Sequence, residues 1–445
     1  MSSKQHARAR TPGGQARHGP VSGHGGPAPG SAYDPGNGAG AGPADDLMRA
    51  LTDPASRPDP FPRFADLRRE RVNRLSHGAF ALGRYDDVAA LLHDPRVSSD
   101  PHNAADPGSA KLVDDAPFIQ RDPPDHDRLR AIATRYFGPP VSPGVVTGQE
   151  PEITGLVGKL LDHLPESGTA DLVDQLAYPL PVAVICRLLG VPREDEQQFH
   201  AWTEGIVKGL DAQEQQGAQE LLKHRDECQA AMFMYVAELL GRHRKNPDGS
   251  MLSNLANDSS GDAMTDAELS TTSVLLLVAG HETTVNLTAN GILTLLRNPA
   301  ALDRLRAEPG WVVPLVEELL RYEPPVQYLP NRNALADIEV GDTVIPRGAR
   351  MILLLAAANR DPGRFTEPDQ FDPDRPDIEQ LGFGSGVHYC FGAPLARIEA
   401  YAALTGFAQR LVNPRLAQDP PPYRPSPVLR GPVHLPVTYD KLLPG

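Results

Sequence analysis

The sequence feature that most constrains the fold is a long apolar segment that opens with a helix-capping signal and ends before a proline. Thr265-Asp-Ala-Glu268 is a capping box, and apolar residues at helical spacing continue from there towards Pro299. At about 1.5 Å per residue, a helix over residues 266–297 is roughly 48 Å long and crosses a whole domain. Its centre, residues 273–279, is apolar nearly all round, so we expect it to be buried.

Polar residues interrupt this helix directly after its apolar centre, in the run Ala279-Gly280-His281-Glu282-Thr283-Thr284. A glycine within a helix costs about 1 kcal/mol relative to alanine, and buried carboxylates and hydroxyls cost more unless they are paired. Such breaks in a local rule are expected at functional sites. The alternative is purely structural: Thr283 bonds back to a preceding carbonyl and bends the helix locally.

A single cysteine near the C-terminus lies in a glycine-rich loop, Phe383-Gly-Ser-Gly-Val-His-Tyr-Cys390-Phe-Gly392, and a helical pattern follows at once. Glycines allow tight turns and close approach of the backbone. A helix N-terminus just after the sulfur stabilises negative charge and predicts a lowered thiol pKa. From these residues alone, Cys390 is either a nucleophile or a metal ligand.

Two further charged patterns are less specific when each is taken alone. Glu318 and Arg321 stand at i,i+3 on one helix face and can pair, but a surface pair of this kind contributes little stability. His126 and Arg130 stand at i,i+4 on a helix that starts after Pro124, which suits an anion such as a carboxylate. An exposed basic face explains the second pattern equally well.

The composition excludes several classes of protein. The chain has 445 residues and a formal net charge of −14, which argues against nucleic acid as the main partner because phosphate binding needs a basic surface. No apolar run reaches the roughly 18 residues of a membrane span, and the N-terminus lacks a secretory signal pattern. Three cysteines without short spacing predict neither a disulfide framework nor a zinc site, and they fit a reducing cytoplasm.

Helical periodicity dominates the chain after an N-terminal tail rich in Gly, Pro, Ala and Ser. The tail, residues 1–45, has too few large apolar residues to form a core and is predicted to be disordered, whereas residues 46–445 are predicted to form one domain. Helices are predicted at 46–52, 60–71, 85–92, 125–136, 149–164, 170–189, 194–209, 214–244, 266–297, 299–306, 310–321 and 394–412. Strands are predicted at 73–76, 79–82, 326–332, 337–340, 343–345 and 350–353. The expected fold class is therefore mainly α with a small β region.

Together these motifs resemble the cytochrome P-450 family of haem-thiolate monooxygenases, in that family's order along the chain. The segment from Phe383 to Arg397 carries every signature position of the family's haem-binding loop, and residues 279–284 match its oxygen-activating helix. The residues that match its Glu-Arg-Arg structural cluster are Glu318, Arg321 and Arg375. The resemblance covers roughly residues 50–440 and is closest to the soluble bacterial class. One departure is Gln380, where bacterial members often carry histidine.

The resemblance implies a haem b cofactor and a role for each motif. Cys390 would be the axial thiolate ligand of the iron. The loop residues implied around its sulfur are Phe383, Gly384, Gly386 and Gly392. The residues implied for the haem propionates are His126, Arg130, Arg332 and His388. Glu282 and Thr283 would be the acid and the alcohol that deliver protons during oxygen activation, with Thr284 as the alternative alcohol. Gly280 would open the groove for oxygen, and Glu318, Arg321 and Arg375 would be structural.

The resemblance also implies a distal wall around a medium-sized, mostly apolar, natural-product-like substrate. The loop 94–120 would act as a lid over this wall, and residues 190–215 would contribute to it. The side chains expected to contact substrate are Leu276, Leu277, Ala279, Val326, Gln327, Tyr328 and Leu329.

The implied reaction inserts one oxygen atom of dioxygen into the substrate, with electrons from NAD(P)H through a ferredoxin reductase and a ferredoxin. Arg128, Arg135 and Arg397 are expected near the thiolate side, where they would suit an acidic iron–sulfur partner. The chain is expected to be a cytoplasmic monomer with no membrane or nucleic-acid partner. The alternatives are a peroxide-driven or non-oxygenating haem-thiolate enzyme, such as one for oxidative coupling, and a non-enzymatic haem-binding or sensor protein.

Overall fold

Helices surround the long central helix and make up most of the fold, which confirms the mainly α class with small β regions. The computed structural model describes residues 42–104, 116–138, 143–210 and 218–445. The α-helices are α1 (Pro43–Thr52), α2 (Phe61–Arg69), α3 (Tyr85–His93), α4 (Asp125–Phe137), α5 (Pro143–Thr147), α6 (Glu150–Asp162), α7 (Pro179–Leu189), α8 (Glu196–Leu210), α9 (Ala218–Lys245), α10 (Met251–Ala256), α11 (Asp266–Arg297), α12 (Pro299–Ala307), α13 (Val312–Tyr322), α14 (Leu355–Ala358) and α15 (Ala393–Arg410).

The strands form small sheets, the largest with the order β1-β2-β8-β5-β3. They are β1 (Asn73–Arg74), β2 (Phe80–Leu82), β3 (Val97–Ser98), β4 (Gly168–Asp171), β5 (Leu329–Ala334), β6 (Ile338–Val340), β7 (Thr343–Ile345), β8 (Arg350–Leu353), β9 (Leu411–Val412), β10 (Arg415–Leu416), β11 (Pro436–Tyr439) and β12 (Lys441–Leu442). In the largest sheet β2 and β8 are parallel and the other neighbours are antiparallel. The predicted strands at 337–340 and 343–345 form the antiparallel pair β6 and β7, which turns at Gly341, whose φ is 59°.

The structure differs from the sequence prediction in several places. Helices α5, α10 and α14 and strands β3, β10, β11 and β12 were not predicted. The predicted helix 170–189 is instead strand β4, a π-helical turn at Val173–Ala177 and helix α7. The last two residues of the predicted helix 394–412 form strand β9. Strand β5 begins at Leu329, three residues later than predicted. Strands β4 and β9 pair with β11 and β12 near the C-terminus, so long-range hydrogen bonds override the local helical pattern.

Helix α1 begins at Pro43, so the last residues of the predicted tail are helical. The prediction of disorder for residues 1–41 lies outside the described residues.

Helix α11 is the structural axis around which the site is built. Its capping box is present: the Thr265 hydroxyl accepts from the Glu268 amide at 3.2 Å, and the Glu268 carboxylate accepts from the Thr265 amide at 2.8 Å. Helix α11 meets α15 at Gly291, where an added methyl group would lie 2.9 Å from the Leu404 side chain. Glycine therefore permits a close helix contact at this point, and the preceding turns of both helices line a cavity.

Within the described ranges, none of the helices combines the length and the apolar character that a membrane span requires.

Candidate active site

The loop before α15 holds Cys390 at the wall of the cavity through tight, glycine-dependent turns. The Cys390 amide donates to the Phe383 carbonyl at 2.9 Å. Gly384 and Gly386 have φ values of 69° and 66°, in the left-handed region that favours glycine. A methyl group at Gly386 would lie 2.1 Å from the Leu92 carbonyl oxygen, so no side chain fits there. The loop thus packs its backbone directly against α3.

The electrostatic environment of the Cys390 thiol differs from the sequence prediction. Burial raises the pKa of this thiol above its ordinary value. Hydrogen bonds from the Gly392 and Ala393 amides and the nearby charges of Arg130 and Arg397 act in the lowering direction, as a helix N-terminus should. The prediction named the helix N-terminus but neither arginine, and it omitted the desolvation that outweighs all of these groups.

A cavity of about 250 Å³ lies between α11 and the Cys390 loop. Its wall on α11 consists of Leu275, Leu276, Ala279, Gly280, Thr283, Thr284 and Leu287. Apolar residues from other elements complete much of the lining, among them Leu92, Phe118, Ile119, Phe137, Ile185, Val326, Leu329 and Leu355. The cavity is therefore apolar apart from the two hydroxyls of α11, the sulfur of Cys390 and a group of polar side chains at its edges.

Three nitrogen-bearing side chains, those of Arg130, Arg332 and His388, line one edge of the cavity, and His126 packs against His388 without lining the cavity itself. The His126 and His388 rings lie 4.4 Å apart between centroids, and His126 Nε2 and His388 Nδ1 are buried without a hydrogen-bond partner. Burial lowers the pKa of Arg332 to about 10. Burial, and then the charges of His126, Arg332 and Arg130, lower the pKa of His388 to about 3. The cluster is thus short of negative charge, which a dianionic group such as the two haem propionates would supply.

Gly392 provides a second test of whether a flat cofactor fits beside Cys390. A methyl group added there would meet no atom within 4 Å, although Gly392 immediately precedes α15 and lines the cavity. Open space therefore lies directly beside the sulfur-bearing loop. The sulfur, this space and the cationic edge together fit a haem whose iron is bound by Cys390.

Neighbouring polar residues of α11 face different surroundings. Thr283 lines the cavity, and its hydroxyl donates to the Ala279 carbonyl at 2.9 Å. Thr284 also lines the cavity, with its hydroxyl 3.3 Å from the Gly280 carbonyl. Gly280 faces Ile185 of α7, whose side chain would lie 3.3 Å from an added methyl group. Each hydroxyl bonds back along the helix, as the structural interpretation expects, and the role of these threonines in proton transfer stays a prediction.

Glu282, in contrast, does not face this cavity. It borders a separate cleft of about 630 Å³ on another side of α11. Its carboxylate lies 3.2 Å from Arg424 Nη1 of the C-terminal segment, and its side chain is 2% exposed. Consecutive helix residues are about 100° apart, so adjacency in the sequence does not bring an acid and an alcohol to one face.

The Glu318–Arg321 pair is fully buried rather than on a surface. Arg321 Nε and Nη2 donate to the Glu318 carboxylate at 2.6 and 2.7 Å, and both side chains are 0% exposed. The remaining donors of Arg321 reach the carbonyls of Asn359, Pro368 and Gln370. All five N–H donors of the guanidinium are thus used.

The pair also organises the chain before the Cys390 loop. Arg375 Nε lies 3.8 Å from the Glu318 carboxylate, and the Asp372 backbone amide donates to the same carboxylate at 2.8 Å. On the same helix, the Leu320 carbonyl oxygen lies so close to Gly382 that a methyl group there would be 2.6 Å away. Gln380, the departure from the family pattern, accepts from the Gly382 amide and donates to Glu317. Helix α13 therefore positions the segment that leads to Cys390.

Not all of the residues expected to contact substrate reach the cavity. Leu276, Ala279, Val326 and Leu329 line it, whereas Leu277, Gln327 and Tyr328 do not. The Gln327 side-chain amide donates to the Pro324 carbonyl at 2.5 Å, and Tyr328 packs in a separate apolar cluster with Phe61 and Phe64. Among the described residues of 190–215, none lines the cavity. Of the expected lid, residues 105–115 lie outside the described residues.

The three arginines expected to bind an acidic partner are each paired within the chain. Arg128 bonds to Glu268, Arg135 Nη2 lies 2.7 Å from Asp262, and Arg397 Nε lies 2.6 Å from Glu317. Their charge is therefore partly neutralised by neighbouring acids.

Glu399 lines the cavity and was missed by the sequence interpretation. It is 2% exposed, its Oε2 has no hydrogen-bond partner, and burial raises the pKa of its carboxyl well above the ordinary value. The available signal was an acid in the otherwise largely apolar pattern of α15, which also resembles an exposed helix position.

Because folding raises the pKa of Glu399, this carboxyl is expected to make stability fall as pH rises. Above its ordinary value near 4.5, the unfolded chain releases a proton that the folded chain retains. As pH rises from about 5 to 8, Glu399→Gln should therefore gain free energy of unfolding relative to wild type, because the substituted side chain has no proton to release. Chemical denaturation at a series of pH values measures this difference, and parallel profiles for the two proteins would contradict it.

Comparisons with known proteins agree with the class that this geometry defines, a haem-thiolate monooxygenase. The family model for cytochrome P-450 matches residues 71–433. Cytochrome P-450 107B1 of Saccharopolyspora erythraea is 36% identical over 403 residues, which cover 86% of this chain and 96% of the relative. The vitamin D(3) 25-hydroxylase of Pseudonocardia autotrophica is 38% identical over 394 residues, covering 85% and 94%.

Solved structures give the same result. The ligand-free crystal structure of CYP164A2 of Mycobacterium smegmatis has 39% sequence identity and a TM-score of 0.81, covering 88% of this chain and 99% of that one. The chain belongs to the cytochrome P-450 family, whose members are monooxygenase oxidoreductases with a haem-thiolate cofactor.

Proposed function

We propose that this chain is a haem b monooxygenase that inserts one oxygen atom of dioxygen into a mostly apolar, natural-product-like small molecule. The observation that carries the proposal is the convergence of Cys390, the nitrogen-rich edge and the Thr283 hydroxyl on one cavity. A metal-binding thiolate alone would be equally compatible with a non-enzymatic haem-binding or sensor protein. An alcohol on the facing helix adds a group that can take part in proton transfer.

Different side chains around the cavity would bind the haem and transfer protons. Cys390 would hold the iron, and the haem would supply activation of dioxygen when bound. His126, Arg130, Arg332 and His388 would hold its carboxylates, and this pairing would relieve the crowding of nitrogen donors at that edge. The Thr283 hydroxyl, now bonded to the Ala279 carbonyl, would pass protons into the cavity, and the apolar wall would exclude bulk water.

An apolar substrate follows from the lining on α11 and its neighbours. Leu276, Ala279, Val326 and Leu329 present hydrocarbon, and a charged substrate would lose its hydration there without gaining a partner. The related vitamin D(3) 25-hydroxylase is named for an apolar substrate of this general kind. We expect substrate binding to be driven mainly by burial of apolar area.

Electrons are proposed to come from NAD(P)H through a ferredoxin reductase and a ferredoxin. The thiolate side of the loop exposes Val387 and Tyr389, and Arg130 bonds to the Tyr389 carbonyl at 2.6 Å. A partner docked there would approach the iron ligand closely. The pairing of Arg128, Arg135 and Arg397 indicates that docking relies less on these charges than the sequence suggested.

Replacing Thr283 by alanine tests the proposed function. Product formation is expected to fall by at least about tenfold, because a positioned proton-transfer group typically contributes that much or more. Reductant consumption should continue, with hydrogen peroxide released in place of product. The measurement compares product, NAD(P)H and hydrogen peroxide in a ferredoxin-supported assay.

Thr284→Ala is the matched control, since it removes a neighbouring hydroxyl from the same wall. It is expected to keep most of the coupling. Two results together would instead indicate the peroxide-driven alternative. The Thr283→Ala protein would form product normally from hydrogen peroxide, and the wild-type protein would not couple NAD(P)H oxidation to product formation.

A further inference from the structure

A group of hydrogen-bonded side chains joins the Cys390 loop to helices α13 and α15. Glu317 of α13 accepts two bonds from Arg397 of α15, one from Nε at 2.6 Å and one from Nη2 at 3.0 Å. Arg397 Nη1 also donates to the Tyr389 hydroxyl at 3.2 Å, and Gln380 Nε2 donates to Glu317 Oε2 at 3.1 Å. We call Gln380, Glu317, Arg397 and Tyr389 the loop network.

The loop network holds a positive charge near the sulfur of Cys390. The Arg397 guanidinium carbon lies 4.7 Å from the centre of the Phe383 ring, and the Phe383 carbonyl accepts from the Cys390 amide. Burial raises the pKa of the Cys390 thiol, and the charge of Arg397 is among the groups that act against burial. Burial acts to lower the pKa of Arg397, but its bonds to Glu317 and Tyr389 raise that pKa, so the guanidinium stays charged.

The side-chain amide of Gln380 is fixed at both of its polar atoms. Its Oε1 accepts from the Gly382 amide at 2.6 Å, while its Nε2 donates to Glu317. Only the oxygen can accept from a backbone N–H and only the nitrogen can donate to a carboxylate, so the amide has one orientation. Gly382 fits tightly here, because an added methyl group would lie 2.9 Å from Gln380 Oε1 and 2.6 Å from the Leu320 carbonyl oxygen. Gln380 therefore links Glu317 to the backbone that leads into the Cys390 loop.

Ionisable groups surround Gln380, but Gln380 itself does not titrate. These groups are Glu317 on α13, Arg397 and Tyr401 on α15, and Tyr389 in the loop. Burial, followed by the charge of Glu317, raises the pKa of Tyr401, so its phenol stays protonated near neutral pH. A neutral amide supplies a donor and an acceptor without gaining or losing a proton. Gln380 thus supports Glu317 without adding a charge that depends on pH.

We propose that Gln380 is a positioning residue that holds Glu317 against Arg397 and keeps the reduction potential of the bound haem independent of protonation at this position. The inference rests on the proposed binding of the haem iron by Cys390. One-electron reduction of the iron adds a negative charge, which a nearby cation stabilises, so a change in the charge of the loop network changes the potential. With a neutral amide at position 380, this side of the haem contributes no proton uptake to electron transfer.

The experiment measures the reduction potential of the haem-loaded, substrate-free protein by spectroelectrochemical titration between about pH 5 and pH 8, where histidine titrates. Gln380→His places a titratable ring beside Glu317, so its potential should fall more steeply with rising pH than that of wild type. Gln380→Glu keeps the side-chain length and adds a negative charge, which should lower the potential at neutral pH. Gln380→Met keeps the length without the hydrogen bonds. It should lower the potential less, because Glu317 loses only a donor that disperses its negative charge.

Gln409→Glu is the matched control, because Gln409 is an exposed glutamine of the same helix α15, about 18 Å beyond Arg397 along the helix axis. It adds the same charge and should leave the potential unchanged, since salt screens exposed charges over this distance. Equal shifts in Gln380→Glu and Gln409→Glu overturn the proposal, and so does a wild-type pH slope in Gln380→His. Thermal unfolding of each variant shows that it is folded.

A double substitution tests whether Gln380 acts through Glu317. In a Glu317→Gln background, Gln380→Met should shift the potential less than it does alone, because the carboxylate that Gln380 supports is gone. Fully additive shifts would contradict this route. The reduced carbon-monoxide spectrum reports Cys390 ligation separately. A wild-type protein without the thiolate-type band contradicts the proposed haem site, whereas an intact band with unshifted potentials in the Gln380 variants contradicts only this inference.

Discussion

Replacing Cys390 by serine is expected to abolish the thiolate-type absorption band of the reduced, carbon-monoxide-bound protein and to reduce product formation to background. Of the three cysteines, Cys390 alone lines the cavity. A serine hydroxyl is a far weaker electron donor to iron than a thiolate, whose donation favours cleavage of the O–O bond. Absorption spectroscopy of the reduced carbon-monoxide complex is the decisive measurement.

Cys228→Ser is the matched control for this substitution, since Cys228 is buried between helices away from the cavity. It should keep the thiolate-type band, and thermal unfolding should show that both variants fold. A wild-type spectrum in Cys390→Ser would exclude Cys390 as the iron ligand. It would also exclude the proposed function, because no other cysteine reaches this site.

Replacing Arg321 by alanine is expected to lower the free energy of unfolding by about 3–5 kcal/mol, the cost of leaving one partner of a buried ion pair alone. The loss extends beyond Glu318, because Arg321 also satisfies the carbonyls of Asn359, Pro368 and Gln370. These carbonyls belong to the segment before the Cys390 loop, so haem retention should fall together with stability. Chemical denaturation and the ratio of haem to protein absorbance measure the two effects.

Two control variants test whether stability depends on the buried hydrogen bonds of Arg321 or only on its positive charge. Arg321→Lys keeps the charge but offers three donors where five are used, so it should remain clearly destabilised. Arg415→Ala breaks an exposed pair with Asp440 and should cost less than about 1 kcal/mol. If Arg321→Ala and Arg415→Ala lose similar stability, the cluster is not the structural support that its contacts suggest.

Most of the longer helices could be predicted because their signals are local. Thr265 and Glu268 form the capping box that their spacing indicates, and α11 runs from Asp266 to Arg297 as predicted. Strand β4 could not be predicted in this way, because its partner β11 lies more than 250 residues further along the chain. Residues with an acceptable helical pattern therefore became a strand once a distant partner supplied its hydrogen bonds.

In the candidate site, too, local sequence predicted some features and missed others. The spacing around Cys390 predicted a tight glycine-rich loop before a helix, and the structure has this loop, since close turns and a following helix are local requirements. Local sequence did not predict which space Glu282 and Thr283 each border. Arg424 and the residues of α7 and α8 that line the two spaces decide this. Glu399 was missed for a related reason: an acid on a helix is read as exposed until the packing of α11 against α15 shows otherwise.

The sequence by itself determined the class of protein, the long buried helix and the glycine-rich loop that carries Cys390, because each depends on residue types at short spacing. The tertiary structure alone decided that Glu318 and Arg321 are buried rather than exposed, that burial raises the pKa of the Cys390 thiol, and that Glu282 faces a polar cleft. The physical reason is that desolvation and ion pairing depend on what surrounds a side chain. Those surroundings come from segments far apart in the chain.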